Sequence, residues 1–166
     1  PKDTGILAEL GKALEREQQH GQAAPLLERA LRDRPDDVSL LLALADARVD
    51  QGRHTEAGEL VERAYALEPT LQMKGRVASS LLLRCRYAEA LQLVEEIIAE
   101  EPSTASSMVA VRVDSMSHLG RQEEALPLLD KEIERAPYVP GLRFPRAEIR
   151  LLNEQFGPGW DDYAFR

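Results

Sequence analysis

The sequence predicts an all-α protein built from tandem helix-turn-helix repeats. An alanine recurs at intervals of 34, 33 and 35 residues, at Ala23, Ala57, Ala90 and Ala125. Twelve residues after each alanine comes a proline, at Pro35, Pro69, Pro102 and Pro137. A period of this length indicates a repeat architecture. The composition agrees, because Leu and Ala favour helices and aromatic residues are only 5% of the chain.

Each of these alanines lies on the apolar stripe of an amphipathic helix. From Ala57, apolar residues recur at three- and four-residue steps through Leu60, Val61 and Ala64. The following proline ends the helix, because it has no N–H to donate and its ring clashes with the preceding turn. We expect the polar residues after the prolines to cap the next helix, namely Asp36, Asp37, Thr70, Ser103 and Thr104.

Another apolar helix precedes each alanine. In the second repeat its stripe is Leu41, Leu44, Ala45 and Arg48. Gly52 and Gly120 lie five residues before their alanines, where the chain must reverse, and glycine tolerates the left-handed backbone of such turns. The sequence therefore predicts one domain, residues 1–166, with units at about 4–37, 38–70, 71–105, 106–139 and a partial or capping unit at 140–166. Because the last unit stops partway along its second helix, we expect the natural protein to continue.

Charge and cysteine content narrow the choice of partners. The net charge is −8, which argues against nucleic acid and against an anionic membrane surface. Cys85 is the single cysteine, so no internal disulfide is available and a reducing, cytoplasmic location is expected. The longest apolar run is too short to cross a membrane, so no membrane insertion is expected.

The period near 34, the small residues where helices cross and the terminal proline resemble the tetratricopeptide repeat (TPR). Gly11, Ala45 and Ala78 match the small position of the first helix, and Val113 departs from it. The resemblance covers nearly the whole chain. It implies an α-solenoid, a right-handed superhelix of stacked hairpins, whose first helices line a concave groove that binds a partner polypeptide without a cofactor.

The groove positions of the family can be carried onto this chain. They give a mixed set of candidate binding residues: Lys12, Arg16, Leu42, Asp46, Val49, Asp50, Ser79, Leu82, Asp114, Ser117, His118 and Glu148. The acidic and apolar members suit a segment with basic and apolar side chains. The other interpretation is that these charges only solvate one face of the helices. The lysine, arginine and asparagine set that clamps a terminal carboxylate in chaperone-binding relatives is missing.

No catalytic or metal-binding constellation emerges from the sequence, so we expect no enzymatic activity and no metal in these residues. His20 and His54 occupy one repeat position, which favours a ring packed at the start of the second helix. Cys85 occupies a turn position, with Arg84 and Arg86 as flanking charges. Arg112 and Arg146 replace a leucine of the repeat, and arginines there are expected to form ion pairs.

The predicted function is protein–protein interaction, with recruitment of a substrate or partner for a larger bacterial protein or complex. One alternative is a scaffold that self-associates through its edges or exposed ends and organises a homo-oligomer. Another follows from FGPGWDDYAFR, which resembles a stretch of bacterial TPR proteins that continue into a glycosyltransferase-type domain. In that case the residues shown would be the non-catalytic targeting domain of an enzyme.

Overall fold

The computed structural model describes residues 2–16, 20–138 and 140–164. Within these ranges the chain is built from α-helices and contains no β-strand, which confirms the all-α prediction. The chain divides into two compact units, residues 1–84 and 85–166. The boundaries of the five sequence repeats, and their reading as one array, stay predictions.

The first unit contains five helices in its described residues: α1 Lys2–Arg16, α2 His20–Asp33, α3 Val38–Asp50, α4 His54–Leu67 and α5 Leu71–Leu83. Helix α1 pairs with α2 and α3 pairs with α4, as the hairpin pattern predicts. Each second helix also contacts the next first helix, so that α2 packs on α3 and α4 packs on α5. Leu27, Leu40 and Leu41 are fully buried at these junctions.

The described residues of the second unit form α6 Tyr87–Glu100, a 3₁₀ turn Pro102–Thr104, α7 Ala105–His118, α8 Gln122–Arg135, α9 Pro140–Leu152 and α10 Phe156–Ala164. Here α6 packs on α7 and α8 packs on α9, while α7–α8 and α9–α10 form hairpins. A single apolar cluster runs through α6 to α9, with Val113, Leu129 and Ile149 among its buried members.

The repeat alanines are buried, as the period requires. Ala23, Ala57, Ala90 and Ala125 are all at most 2% exposed. Gly159 continues the phase on α10, and a Cβ atom there would lie 2.8 Å from the Cδ2 atom of Leu151. Since real Cβ contacts are longer than this, the position admits only a very small residue without movement of its neighbour.

The turns of the hairpins use a left-handed residue at one repeat position. Gly52 and Gly120 have φ angles of +71° and +75°, which confirms their predicted role. Cys85 and Glu154 occupy the equivalent places with φ of 58° and 59°, so two non-glycine residues adopt the same conformation. This geometry accounts for Cys85 as a turn residue, and its side chain is exposed.

Helix ends follow the sequence prediction in most places. Helices α2, α4, α6 and α8 each end two residues before the repeat proline. Asp37 caps α3 and Thr70 caps α5, each by accepting a hydrogen bond from a backbone N–H three residues on. The prediction is wrong for Ser103 and Thr104, because the 3₁₀ turn holds Thr104 in a helical conformation and its hydroxyl donates to the Glu101 carbonyl at 2.7 Å.

An arginine–carboxylate pair recurs where a second helix meets the next first helix. The carboxylate always lies five residues after the repeat alanine, and the arginine comes from the following helix or, for Arg84, from the residue directly after it. The pairs are Glu28 with Arg48, Glu62 with Arg84, Glu95 with Arg112, and Asp130 with Arg146. The last two confirm the predicted ion pairing of Arg112 and Arg146, whose partners the sequence did not identify.

Candidate functional site

Four of the predicted groove residues in the first unit line one cavity of about 350 Å³. This α3–α5 cavity lies among α3, α4 and α5. Its wall contains the predicted Asp46, Val49, Asp50 and Ser79. The other lining residues are Ala45, His54, Ala57, Val61, Arg76, Ser80 and Leu83. The phase of the repeat brings these residues together, because they project from neighbouring first helices toward the start of α4.

The α3–α5 cavity also contains a basic residue that the predicted set did not include. Arg76 on α5 forms an ion pair with Asp46 on α3. The lining therefore holds two carboxylates, Asp46 and Asp50, and one guanidinium. Sequence reasoning missed Arg76, although it lies two residues before Ala78, within reach of the groove positions of α5.

Polar atoms in the wall of the α3–α5 cavity have spare hydrogen-bonding capacity. The buried Nδ1 of His54, Oγ of Ser80 and Nε of Arg76 have no hydrogen-bond partner among the described residues. Buried polar groups in this condition cost free energy of folding. His54 was predicted to pack at the start of its helix; its ring is half-buried there and also lines the cavity.

Predicted residues of the second unit line another cavity, of about 550 Å³. This α7–α9 cavity contains Asp114, Ser117, His118 and Glu148 from the predicted set. Gln122, Pro145, Ile149, Leu151 and Leu152 complete its wall. Among the described residues, the lining includes two carboxylates and neither lysine nor arginine, so this cavity is more acidic than the α3–α5 cavity.

Two features fix the polar side of the α7–α9 cavity. The imidazole of His118 stacks on the ring of Tyr87, with centroids 4.1 Å apart and planes 9° from parallel. Gln122 donates a hydrogen bond from Nε2 to the Ser117 carbonyl at 3.0 Å. Burial raises the pKa of Asp114, and the neighbouring His118 acts in the opposite direction. A cationic guest would relieve the cost of ionising that carboxyl group.

Three of the remaining predicted groove residues, all with described side chains, do not line either cavity: Lys12, Leu42 and Leu82. Lys12 is paired with Glu9 on its own helix at 3.6 Å. Leu42 is half-buried and packs against the apolar clusters around Leu41 and Ala45. Leu82 is half-buried on α5. The side chains of Arg16 and His20 lie outside the described residues, so their predicted roles stay predictions, as does binding by the whole set.

The described residues offer no group of three or more His, Cys, Asp or Glu side chains that could hold a metal ion. None of the helices in the described ranges combines the length and the apolar character that a bilayer crossing requires. Asp162 is the most buried acidic side chain described, but three arginines surround it at 2.5–3.4 Å. That arrangement is an ion-pair network that joins helices, not an acid–base pair facing a cavity.

Comparison with known proteins supports the repeat assignment. A sequence profile described as tetratricopeptide repeat matches residues 9–71. No curated protein sequence gives a significant match. Among solved structures, residues 41 to the end of MamA from Desulfovibrio magneticus RS-1 superpose with a TM-score of 0.79, at 14% identity, over 98% of this chain and 92% of that one.

Two further structures give the same picture. A thermophilic TPR protein of Thermus thermophilus has a TM-score of 0.74 and 21% identity, covering 97% of this chain and 88% of its own. MamA of strain MSR-1 also has a TM-score of 0.74, at 18% identity, over 96% and 93% of the two chains. At these identities the likeness establishes the fold, an α-helical repeat of tetratricopeptide type, and not a shared partner.

Proposed function

We propose that this chain is a non-catalytic protein-interaction module that binds a segment of a partner polypeptide through the α3–α5 and α7–α9 cavities. The tetratricopeptide match of residues 9–71 and the fold likeness support an interaction module. Its role would be to recruit a substrate or partner for a larger bacterial protein or complex. The resemblance of residues 156–166 to TPR proteins with a glycosyltransferase-type domain supports one form of that role, delivery of a substrate to an attached enzyme.

The lining of the α7–α9 cavity is the observation that carries the proposal. Asp114 and Glu148 lie beside Ile149, Leu151 and Leu152, and the described lining contains neither lysine nor arginine. A lysine or arginine side chain combines an aliphatic stem with a cationic head, so it matches both parts of such a wall. Charge-assisted hydrogen bonds to carboxylates are also stronger than neutral ones. The expected partner segment therefore carries basic and apolar side chains.

The α3–α5 cavity would contribute in a different way. Because Arg76 already compensates Asp46, this cavity attracts a cation less strongly. Its apolar wall of Ala45, Val49 and Val61 suits an apolar side chain better. The two cavities thus favour different side chains of a partner.

Charge reversal tests this division. The probes are a fluorescent peptide of alternating Lys and Leu and its counterpart with Glu for Lys, and the measurement is fluorescence anisotropy. We expect Asp114→Lys with Glu148→Lys to weaken binding of the basic peptide about tenfold or more, since a hydrogen bond to a charged group contributes about 1.5–3 kcal/mol. Asp46→Lys with Asp50→Lys should weaken it less, and neither variant should lower the melting temperature.

The matched control is Glu123→Lys with Glu134→Lys on α8, which makes the same change in net charge at exposed positions outside the cavity lining. The control should bind the basic peptide nearly as the parent does. An equal loss in the control, or unchanged binding by the Asp114 and Glu148 variant, would remove the α7–α9 cavity from the proposal. Tight binding of the acidic peptide would contradict the expected partner chemistry.

A further inference from the structure

The α7–α9 cavity holds a histidine in the same wall as its two carboxylates. His118 is the last residue of α7, one helical turn after Asp114, so both side chains lie on the same face of the helix. Glu148 lines the cavity from α9. Among the described lining residues, His118 is the one whose side-chain type exchanges a proton near neutral pH.

Tyr87 holds the imidazole of His118 in this place. The two rings stack with their centroids 4.1 Å apart and their planes 9° from parallel. The phenol of Tyr87 in turn interacts with Cys85. The stacked contact suits a protonated imidazole as well as a neutral one, because the face of an aromatic ring attracts a cation. We therefore expect His118 to stay in the wall of the cavity in both of its protonation states.

The charged groups that share the described lining with His118 are carboxylates. Asp114 precedes it on α7, and Glu148 faces the cavity from α9. Helix α8 contributes Gln122, whose neutral amide donates to a backbone carbonyl. A proton on His118 therefore adds the first positive charge to the described lining.

The arginines of the neighbouring segments already have carboxylate partners. Arg121, in the turn after α7, pairs with Glu124 at 2.7 Å. Arg146 and Arg150 of α9 both pair with Asp162. Because these guanidinium groups lie outside the described lining, the charge of the cavity near neutral pH changes through its histidine.

Asp114 and His118 act on each other electrostatically. Burial raises the pKa of Asp114, and His118 counteracts this rise. A protonated imidazole is thus a cation beside the carboxylate that the cation of the guest is proposed to meet. The described lining carries two carboxylates and one imidazole, so protonation of the imidazole offsets one of the two negative charges.

We propose that His118 makes binding at the α7–α9 cavity sensitive to pH, because its protonated imidazole competes with the basic side chain of the partner segment. The inference rests on the proposed function and adds a means of regulating the same site. A lysine or arginine side chain keeps its charge throughout the range in which an imidazole titrates, so only the charge of the cavity changes. The partner is therefore held at about pH 8 and released as the pH falls toward about 6.

The test measures binding of the fluorescent peptide of alternating Lys and Leu by anisotropy at about pH 8 and about pH 6. Exposed carboxylates and lysine side chains stay ionised between these values. The dissociation constant of the parent should rise about three- to tenfold at the lower pH, because two cations a few ångströms apart repel each other more strongly beside a protein than in bulk water.

Two substitutions separate the charge of His118 from its shape. His118→Phe keeps a flat ring to stack on Tyr87 but takes no proton, so its dissociation constant should change less than about twofold between the two pH values. Because Asp114 is retained, any effect of its own protonation appears in this variant too. His118→Arg carries a fixed charge and should bind the peptide weakly at both pH values.

His54→Gln is the matched control, because it removes the histidine of the α3–α5 cavity; it should retain most of the pH response, and loss of the response in this variant would assign it to the other cavity and overturn the inference. Unchanged affinity of the parent between the two pH values, or a full response in His118→Phe, would also overturn it and leave peptide binding intact. Absence of binding at both pH values would instead overturn the proposed function together with this inference. Melting temperatures at both pH values check that each protein is folded.

Discussion

Two hairpins have opposite chemistry at the same contact between their helices. The contact is apolar in the α3–α4 hairpin of the first unit, and it is ionic in the α9–α10 hairpin of the second unit. In the second hairpin the contact positions are Leu44 on α3 and Leu60 on α4, both in apolar clusters. In the last hairpin the equivalent residues are Arg146 on α9 and Asp162 on α10, joined at 2.5 and 2.7 Å. Asp162 is only 3% exposed.

The difference shows that the repeat accepts a polar contact here when both leucine positions are replaced, one by an arginine and the other by an aspartate. Asp162 accepts hydrogen bonds from Arg146, Arg150 and Arg143, while Asp130 accepts from Arg146 and Arg150. The hydrogen bond with Asp162 is the main reason that the pKa of Arg146 is raised. An apolar contact loses only its own burial when one side is removed, whereas an ionic contact leaves a buried charge without its partner.

The largest expected effect breaks the ionic side of this comparison. Asp162→Leu should lower the free energy of unfolding by about 3–5 kcal/mol, because three arginines lose their shared, buried acceptor. Adding Arg146→Leu should restore a large part of the loss, since an apolar pair then fills the contact as it does in the second hairpin. Urea unfolding of both variants measures the difference. If the double variant is no more stable than Asp162→Leu, an apolar pair cannot replace the ion pair of Arg146 and Asp162 at this contact.

An intermediate effect is expected at the small position that both hairpins share. Ala57→Leu should lower the free energy of unfolding by about 1–3 kcal/mol, because the alanine is buried where α4 crosses its neighbours and the added atoms have no room. Ala66→Leu on the same helix is the matched control, since Ala66 is exposed. Equal melting temperatures for the parent and Ala57→Leu would contradict the inference that α4 packs too closely on its neighbours at Ala57 to admit a larger side chain.

The smallest effect concerns how first helices begin in the two units. Asp37→Ala should lower the free energy of unfolding by about 1 kcal/mol at neutral pH, because Asp37 caps α3. Thr104→Ala should change it much less, since Thr104 makes no capping bond to α7. Chemical denaturation of both variants at neutral pH makes the comparison.

The cap contribution should also depend on pH. Burial raises the pKa of Asp37, but hydrogen bonds from Ser39 and Leu40 and the charge of Arg34 outweigh it and hold the pKa below its usual value. The stabilisation is therefore present above the unfolded pKa of about 3.9 and is lost as the pH falls through the lower folded value. The difference between the parent and Asp37→Ala should shrink below about pH 4; a difference that stays constant there would show that the carboxylate charge is not involved.

Much of the fold could be predicted because its signals are local. The period fixed which alanines are buried, and the prolines fixed where second helices end, since both follow from backbone geometry and from helix crossing. The phase also brought Asp46, Asp50 and Ser79 to one cavity and Asp114 and Glu148 to the other. Thr104 escaped prediction because its capping ability depends on the backbone that Pro102 imposes on it.

The sequence alone determined the helices, their order and the small crossing positions, because residues a fixed number of positions apart along a helix share a face in any context. It could not determine which charges meet across helices. Glu95 with Arg112, Asp162 with Arg146 and Asp46 with Arg76 join residues 16 to 30 positions apart. Only the tertiary packing decides such pairs, since long side chains on neighbouring helices have several partners within reach. That choice sets the charge of the α3–α5 cavity, where Arg76 pairs with Asp46.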